Sequence, residues 1–147
     1  MVDSAERIES LKAGTLAAKS FLLAYGIASL GNTLVLAEQF EILAGKQLAS
    51  GFTMLASCAI AWLSGFLFGI TYRYVIRSDR NSHLSDGAVL AFGLVRGLAQ
   101  VDVGLNFTDA LWSFGILGIE SILLFAFARL TLDWAMGLGW VKPFRSG

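Results

Sequence analysis

Proline, cysteine and charged residues are scarce in this chain. It has one proline, one cysteine and 15% charged residues among its 147 positions, whereas soluble domains carry about 25% charged residues. A single thiol, Cys58, cannot form an internal disulfide or act alone as a thiol redox pair, which excludes a disulfide scaffold. Few breakers and few charges are typical of long helices that face lipid, so the composition predicts a membrane protein.

An excess of charge of either sign is also missing. Eleven Lys and Arg balance eleven Asp and Glu, so nothing indicates a nucleic-acid partner. Residues 1–14 are acidic as well as basic, and no short apolar core with a small-residue cleavage site precedes the first long apolar run. We therefore expect no cleaved leader, and the first apolar run to be retained as a helix.

Four apolar segments predict an all-α fold, a four-helix transmembrane bundle in a single domain. The expected spans are about residues 20–37, 52–71, 87–105 and 110–130. The third is the weakest because Arg96 interrupts it. Ser85 with Asp86 is the expected N-cap of that helix. Residues 131–140 form an expected interfacial helical piece, which Pro143 prevents from continuing.

The distribution of basic residues predicts the orientation of the bundle. Lys19 stands at the edge of the first span. The other basic residues outside the spans are Arg7 and Lys12 at the N-terminus, Lys46 in the first loop, Arg73, Arg77 and Arg80 in the second, none in the third, and Lys142 and Arg145 at the C-terminus. Cytoplasmic loops carry an excess of Lys and Arg. Both termini and the second loop are therefore expected on the cytoplasmic side.

Two opposite charges, Arg96 and Glu120, lie inside apolar segments. An ionised Arg near the bilayer centre costs at least ~2.5–3.5 kcal/mol, so it needs a partner or a wet cavity. If Gly87 and Arg129 both mark the cytoplasmic interface, each charge lies about 13.5 Å from it by the helical rise. We expect a buried charge pair between the third and fourth helices. Such a pair could be purely structural, serve a proton or ion path, bind a pigment or cofactor, or meet another subunit.

Two pairs of glycines are spaced four residues apart, Gly65 with Gly69 and Gly93 with Gly97. This spacing places both members on one helix face and lets neighbouring backbones approach closely. We expect them to pack helices within the bundle, and self-association is the alternative.

The second loop is the most basic part of the chain. Arg73, Arg77 and Arg80 are spaced by four and three residues, with Asp79 beside them. Guanidinium groups at a membrane interface bind anions through charge-assisted hydrogen bonds. The pattern predicts contact with lipid headgroups, with a partner protein or with a small anionic ligand.

No catalytic or metal-binding pattern is evident. His83 is the only histidine, and it has no second His, Cys or close carboxylate pair at a metal-ligand spacing. No nucleophile elbow or nucleotide-binding loop occurs either. We predict no catalytic residue, no metal and no required cofactor, with pigment or lipid binding left open.

Two parts of the C-terminal half resemble a known family. The motifs are Tyr72-Arg73-Tyr74, Arg77, Asp79, Asn81, Ala91-Phe92-Gly93 and Arg96-Gly97, together with residues 131–144. They resemble a poorly characterised family of small multi-pass membrane proteins of cyanobacteria and, with transit peptides, of plant chloroplasts. The resemblance implies a bacterial inner or thylakoid membrane and accessory work around the photosynthetic machinery. It implies no reaction.

Three functions are compatible with these features. The first is a non-enzymatic membrane accessory protein that aids assembly or stability of a larger, photosynthetic complex. The second is a small transporter or proton- or ion-conducting protein that uses Arg96, Glu120 and Asn32. The third is a membrane enzyme or pigment binder that uses Glu120 or His83.

Overall fold

The computed structural model describes residues 4–31, 34, 51–76, 81–102 and 110–144. These residues form four helices and no strand: α1 (Ser4–Gly31), α2 (Gly51–Ile76), α3 (Ser82–Asp102) and α4 (Ala110–Gly137). Helices α1, α2 and α4 are each long and apolar enough to cross a membrane. The predicted all-α bundle is therefore confirmed.

Consecutive helices run antiparallel and form a closed four-helix arrangement. Helix α1 packs on α2 and on α4, α3 packs on α4, and α2 also contacts α3 and α4. The start of α1, the end of α2, the start of α3 and the end of α4 therefore share one end of the bundle, which we call the polar end. Four aromatic rings fill the core between the helices, with centroids 4.6–5.5 Å apart: Phe21, Phe68, Phe92 and Phe125.

The four predicted glycines lie at helix crossings inside the bundle. Gly65 and Gly69 of α2 face the backbone of α1, and Gly93 of α3 faces the backbone of Ile122 in α4. A Cβ built on Gly97 would lie 2.8 Å from the Cα of Gly118. No side chain fits at these crossings without movement, which explains why glycine occupies them.

The first helix is longer at its N-terminal end than expected. It begins at Ser4, not near residue 20, and it ends at Gly31. A buried stripe of small residues, Ala13, Gly14 and Ala17, packs this early part against α2. Close packing against α2 thus extends α1 through residues 4–19, which were expected to precede the first helix because they carry several charges. The rest of the expected first span, residues 32–33 and 35–37, lies outside the described residues, apart from Leu34.

Helix α4 ends later than expected, and helix α3 begins earlier than expected. Helix α4 continues to Gly137, so the expected interfacial piece forms its final turns. Gly139 then adopts φ 75°, and the amide of Trp140 donates to the carbonyl of Ala135 at 2.9 Å, a Schellman ending. At the start of α3, Asn81 is the N-cap because its Oδ1 accepts the amide of His83 at 3.1 Å.

The crossing at Gly69 leads to a prediction about packing. A Cβ added there would lie 2.5 Å from the carbonyl oxygen of Ala13 and 2.6 Å from the Cβ of Ala17. We expect Gly69→Ala to lower the free energy of unfolding by about 1–3 kcal/mol, the usual cost of overpacking. Unfolding in detergent, followed by circular dichroism, measures this change.

The matched control is Gly26→Ala, on the exposed side of α1, where a Cβ would meet no atom within 4 Å. That variant should be neutral or stabilised by up to about 1 kcal/mol, since alanine is the better helix former. Equal stability of the two variants would contradict the tight crossing.

Candidate functional site

Arg73, near the end of α2, is fully buried and makes four polar contacts with other segments. Its Nη1 donates to Ser10 Oγ at 2.7 Å and to the carbonyl of Glu6 at 3.1 Å. Its Nε donates to the carbonyl of Lys142 at 2.7 Å. Its Nη2 forms an ion pair with the Glu6 carboxylate. The guanidinium thus satisfies its donors inside the protein.

The C-terminal residues fold back over this guanidinium. The amide of Lys142 donates to Glu9 Oε2 at 3.0 Å, and the Val141 side chain is buried. The Phe144 ring lies 5.8 Å from the Arg73 Cζ and 4.9 Å from the Tyr74 ring. Arg73 therefore joins three separate parts of the chain: the start of α1, the end of α2 and the residues after α4.

This geometry corrects the expectation that Arg73 binds lipid or a partner. The side chain has 0% exposure, and its donors face the start of α1 and the C-terminal segment. A guanidinium at the edge of a span can be desolvated when carbonyls and a carboxylate surround it. The other residues of the predicted basic face, Arg77, Asp79 and Arg80, lie outside the described residues.

A second group of polar side chains connects α2, α3 and α4 at the polar end. The Tyr72 hydroxyl donates to Asp133 Oδ1 at 2.6 Å. Arg129 forms an ion pair with Asp86 and lies 3.4 Å from Asp133 Oδ2. Sequence reasoning missed this network, although the i, i+4 spacing of Arg129 and Asp133 was available as a signal.

Arg96 projects from α3 toward α1 and α2. Its Nη1 donates to Ser64 Oγ at 3.4 Å, a long bond, and its Cζ lies 5.3 Å from the Phe21 ring and 5.7 Å from the Tyr25 ring. Aromatic faces attract a guanidinium through their quadrupoles. Its Nε and the Gln100 Oε1 are buried without a hydrogen-bond partner in the described part of the chain. Arg96 is therefore only partly satisfied.

The expected direct pair between Arg96 and Glu120 is not formed. Among the residues that the structure describes, no ion pair within 4.0 Å joins them. The two helices do touch as expected. The close approach of Gly97 to α4 leaves Arg96 directed at Ser64 and the two rings. Asn32, the third polar residue of the expected path, lies outside the described residues.

The remaining candidates stand apart from these groups. His83 is exposed in the first turn of α3, and Cys58 is half-buried in α2. Within the described residues, no group of three His, Cys, Asp or Glu side chains could hold a metal ion.

Neither a protein-family model, nor a curated protein, nor a solved structure matches this chain. Function is therefore inferred from the contacts described above and from the resemblance noted in the sequence.

The buried position of Arg73 predicts a large effect of its removal. Arg73→Met leaves the Glu6 carboxylate without its partner and frees the carbonyl of Lys142. We expect the free energy of unfolding to fall by about 3–5 kcal/mol, as when one half of a buried pair is lost. Hydrogen exchange at the Lys142 amide should also accelerate.

The control is Arg7→Met, which removes an exposed arginine from the same end of the bundle and should change stability by less than about 0.5 kcal/mol. If Arg73→Met unfolds no more easily than Arg7→Met, Arg73 does not hold the polar end together.

The separation of Arg96 and Glu120 predicts weak coupling between them. A direct buried pair would give single variants destabilised by about 3–5 kcal/mol each. Because no ion pair is lost here, we expect a coupling free energy below about 1 kcal/mol in the cycle of Arg96→Met, Glu120→Gln and the double variant. Equilibrium unfolding of all four proteins measures it. A coupling free energy of 3 kcal/mol or more would show that Arg96 and Glu120 form a direct ion pair and would contradict their separation.

Proposed function

We propose that this protein is a non-enzymatic, multi-pass membrane accessory protein that docks through α3 on a larger membrane complex and aids its assembly or stability. The observation that carries the proposal is the polar composition of α3 together with its exposed apolar side. Among the described residues, α3 is the helix that is not a candidate membrane span, because Asp86, Arg96 and Gln100 interrupt its apolar residues.

Helix α3 is covered on one side only. Gly93 and Gly97 pack it against α4, while Leu90, Leu94 and Leu98 form an outward stripe with 41–53% exposure. A helix with polar residues and an interrupted apolar run gains less from lipid than its neighbours do. A protein surface against the leucine stripe would supply the packing that drives helix association in a bilayer.

The polar end supports the same proposal. Arg73, Arg129 and Asp133 use their charges within the bundle, so the large outward surface consists mainly of apolar helix faces. Such faces suit association with other spanning helices.

The membrane setting is proposed from the sequence. The resemblance over residues 72–98 and 131–144 supports a bacterial inner or thylakoid membrane and a photosynthetic complex as the partner. The excess of basic residues at the termini and in the second loop supports a cytoplasmic position for the polar end.

A matched pair of variants tests docking through α3. Leu94→Ala with Leu98→Ala removes two exposed leucines from α3, and Leu63→Ala with Leu67→Ala removes two equally spaced and similarly exposed leucines from α2. We expect at least about tenfold less of the complex to be recovered with the α3 variant than with the wild-type protein, since truncating a leucine at a packed interface leaves a cavity that costs about 2–5 kcal/mol. Mild detergent extraction, affinity capture and quantitative mass spectrometry of native membranes measure this.

The α2 variant should recover the complex as well as the wild-type protein does. Equal recovery with both variants, in proteins of unchanged stability, would exclude the α3 stripe as the docking surface. Recovery of the wild-type protein free of any complex would exclude the accessory role.

A small transporter or proton-conducting protein is the second candidate, favoured by the incompletely paired Arg96, which has one long hydrogen bond to Ser64, and by the buried, unpaired Gln100 Oε1 in the described part of α3. Polar groups inside a spanning bundle mark ion or proton paths in many membrane proteins. Dissipation of a pH gradient in reconstituted vesicles, removed by Glu120→Gln, would favour this function over the accessory role.

A further inference from the structure

A groove runs between α1 and the residues that follow α4 at the polar end. Its volume is about 420 Å³, within the range of sites that bind small molecules. Leu11 and Leu16 line it from α1, and Trp140 and Val141 line it from the C-terminal segment. It is a shallow groove that is open to the surroundings over most of its extent.

Two lysines give this apolar groove a positive charge. Lys12 and Lys19 both line it and lie seven residues apart on α1, which is two helical turns, or about 10 Å along one face. Lys12 forms an ion pair with Glu9 at 2.8 Å but remains 53% exposed. Within the described part of the chain, Lys19 forms no ion pair or hydrogen bond.

The level of the groove matches a membrane interface. Trp134 and Trp140 are about 60% exposed, and their rings lie 5.6 Å apart, as expected of aromatic residues at the headgroup level. Helical side chains lean toward the N-terminus, and the N-terminus of α1 is at the polar end. The Lys19 ammonium therefore reaches back toward Lys12 and the interface while its stem covers apolar surface.

We infer that this groove binds an anionic membrane lipid, with the headgroup between Lys12 and Lys19 and an acyl chain along Leu11, Leu16 and Val141. Charge complementarity selects the anionic headgroup, and the apolar lining selects a molecule that carries a hydrocarbon chain. The site replaces the anion site expected at Arg73, whose guanidinium is buried.

Native mass spectrometry of the full-length protein tests this inference, with phosphatidylglycerol and phosphatidylcholine of identical acyl chains as probes. We expect phosphatidylglycerol to bind more tightly. Since one lysine near an anionic headgroup contributes about a fivefold factor in affinity, Lys12→Gln with Lys19→Gln should weaken phosphatidylglycerol binding by roughly thirtyfold. The binding of phosphatidylcholine should change little.

The matched control is Arg7→Gln with Lys142→Gln, which removes the same charge from exposed positions at the same end, outside the groove. It should retain lipid selectivity. A second variant, Thr15→Trp, fills the groove and keeps both lysines. It should bind phosphatidylglycerol as weakly as the double lysine variant does.

Three outcomes would overturn the inference. Equal loss in the control and in the lysine variant would mean that net charge alone attracts the lipid. Full binding by a stably folded Thr15→Trp protein would mean that no chain occupies the groove. Displacement of the lipid by soluble glycerol phosphate at equal concentration would mean that the lysines bind the headgroup alone.

Discussion

The buried guanidinium of Arg73 is the contact on which the polar end of the bundle depends. Between spanning helices the lipid is as apolar as the side chains, so burial of apolar surface contributes little to their association. Hydrogen bonds and close packing have to hold the helices together instead. Arg73 supplies several bonds from one side chain, and it joins the start of α1 to the residues after α4, which are the two ends of the chain.

Away from the polar end, the helices are held by packing. Gly65 and Gly69 allow α2 to approach the backbone of α1, and Gly93 and Gly97 do the same for α3 and α4. The aromatic cluster around Phe68 and Phe125 fills the space where the two helix pairs meet. Hydrogen bonds at one end and backbone contact along the helices together explain how so small a bundle is held together.

The fold could be predicted from the sequence to a greater extent than the site. Long apolar runs and glycines four apart are local signals, and they indicated four helices and their crossing faces. The partner of a charged side chain depends on which helices meet and how they are rotated. Arg73 was expected at the membrane interface and Arg96 beside Glu120. In the structure Arg73 is enclosed by α1 and the C-terminal segment, and Arg96 contacts Ser64 and two rings instead of Glu120.

The difference between the two arginines bears on where function is located. Carbonyls, a hydroxyl and a carboxylate surround Arg73, so its guanidinium donors are bonded within the chain and do not require an external ligand. Arg96 has one long hydrogen bond and a buried Nε without a partner in the described residues. Burying such a group costs free energy that the fold does not recover. The same helix carries the outward stripe of Leu90, Leu94 and Leu98, so α3 combines an incompletely paired interior charge with an exposed apolar face. This is the property expected of the element that meets a partner or lines a path.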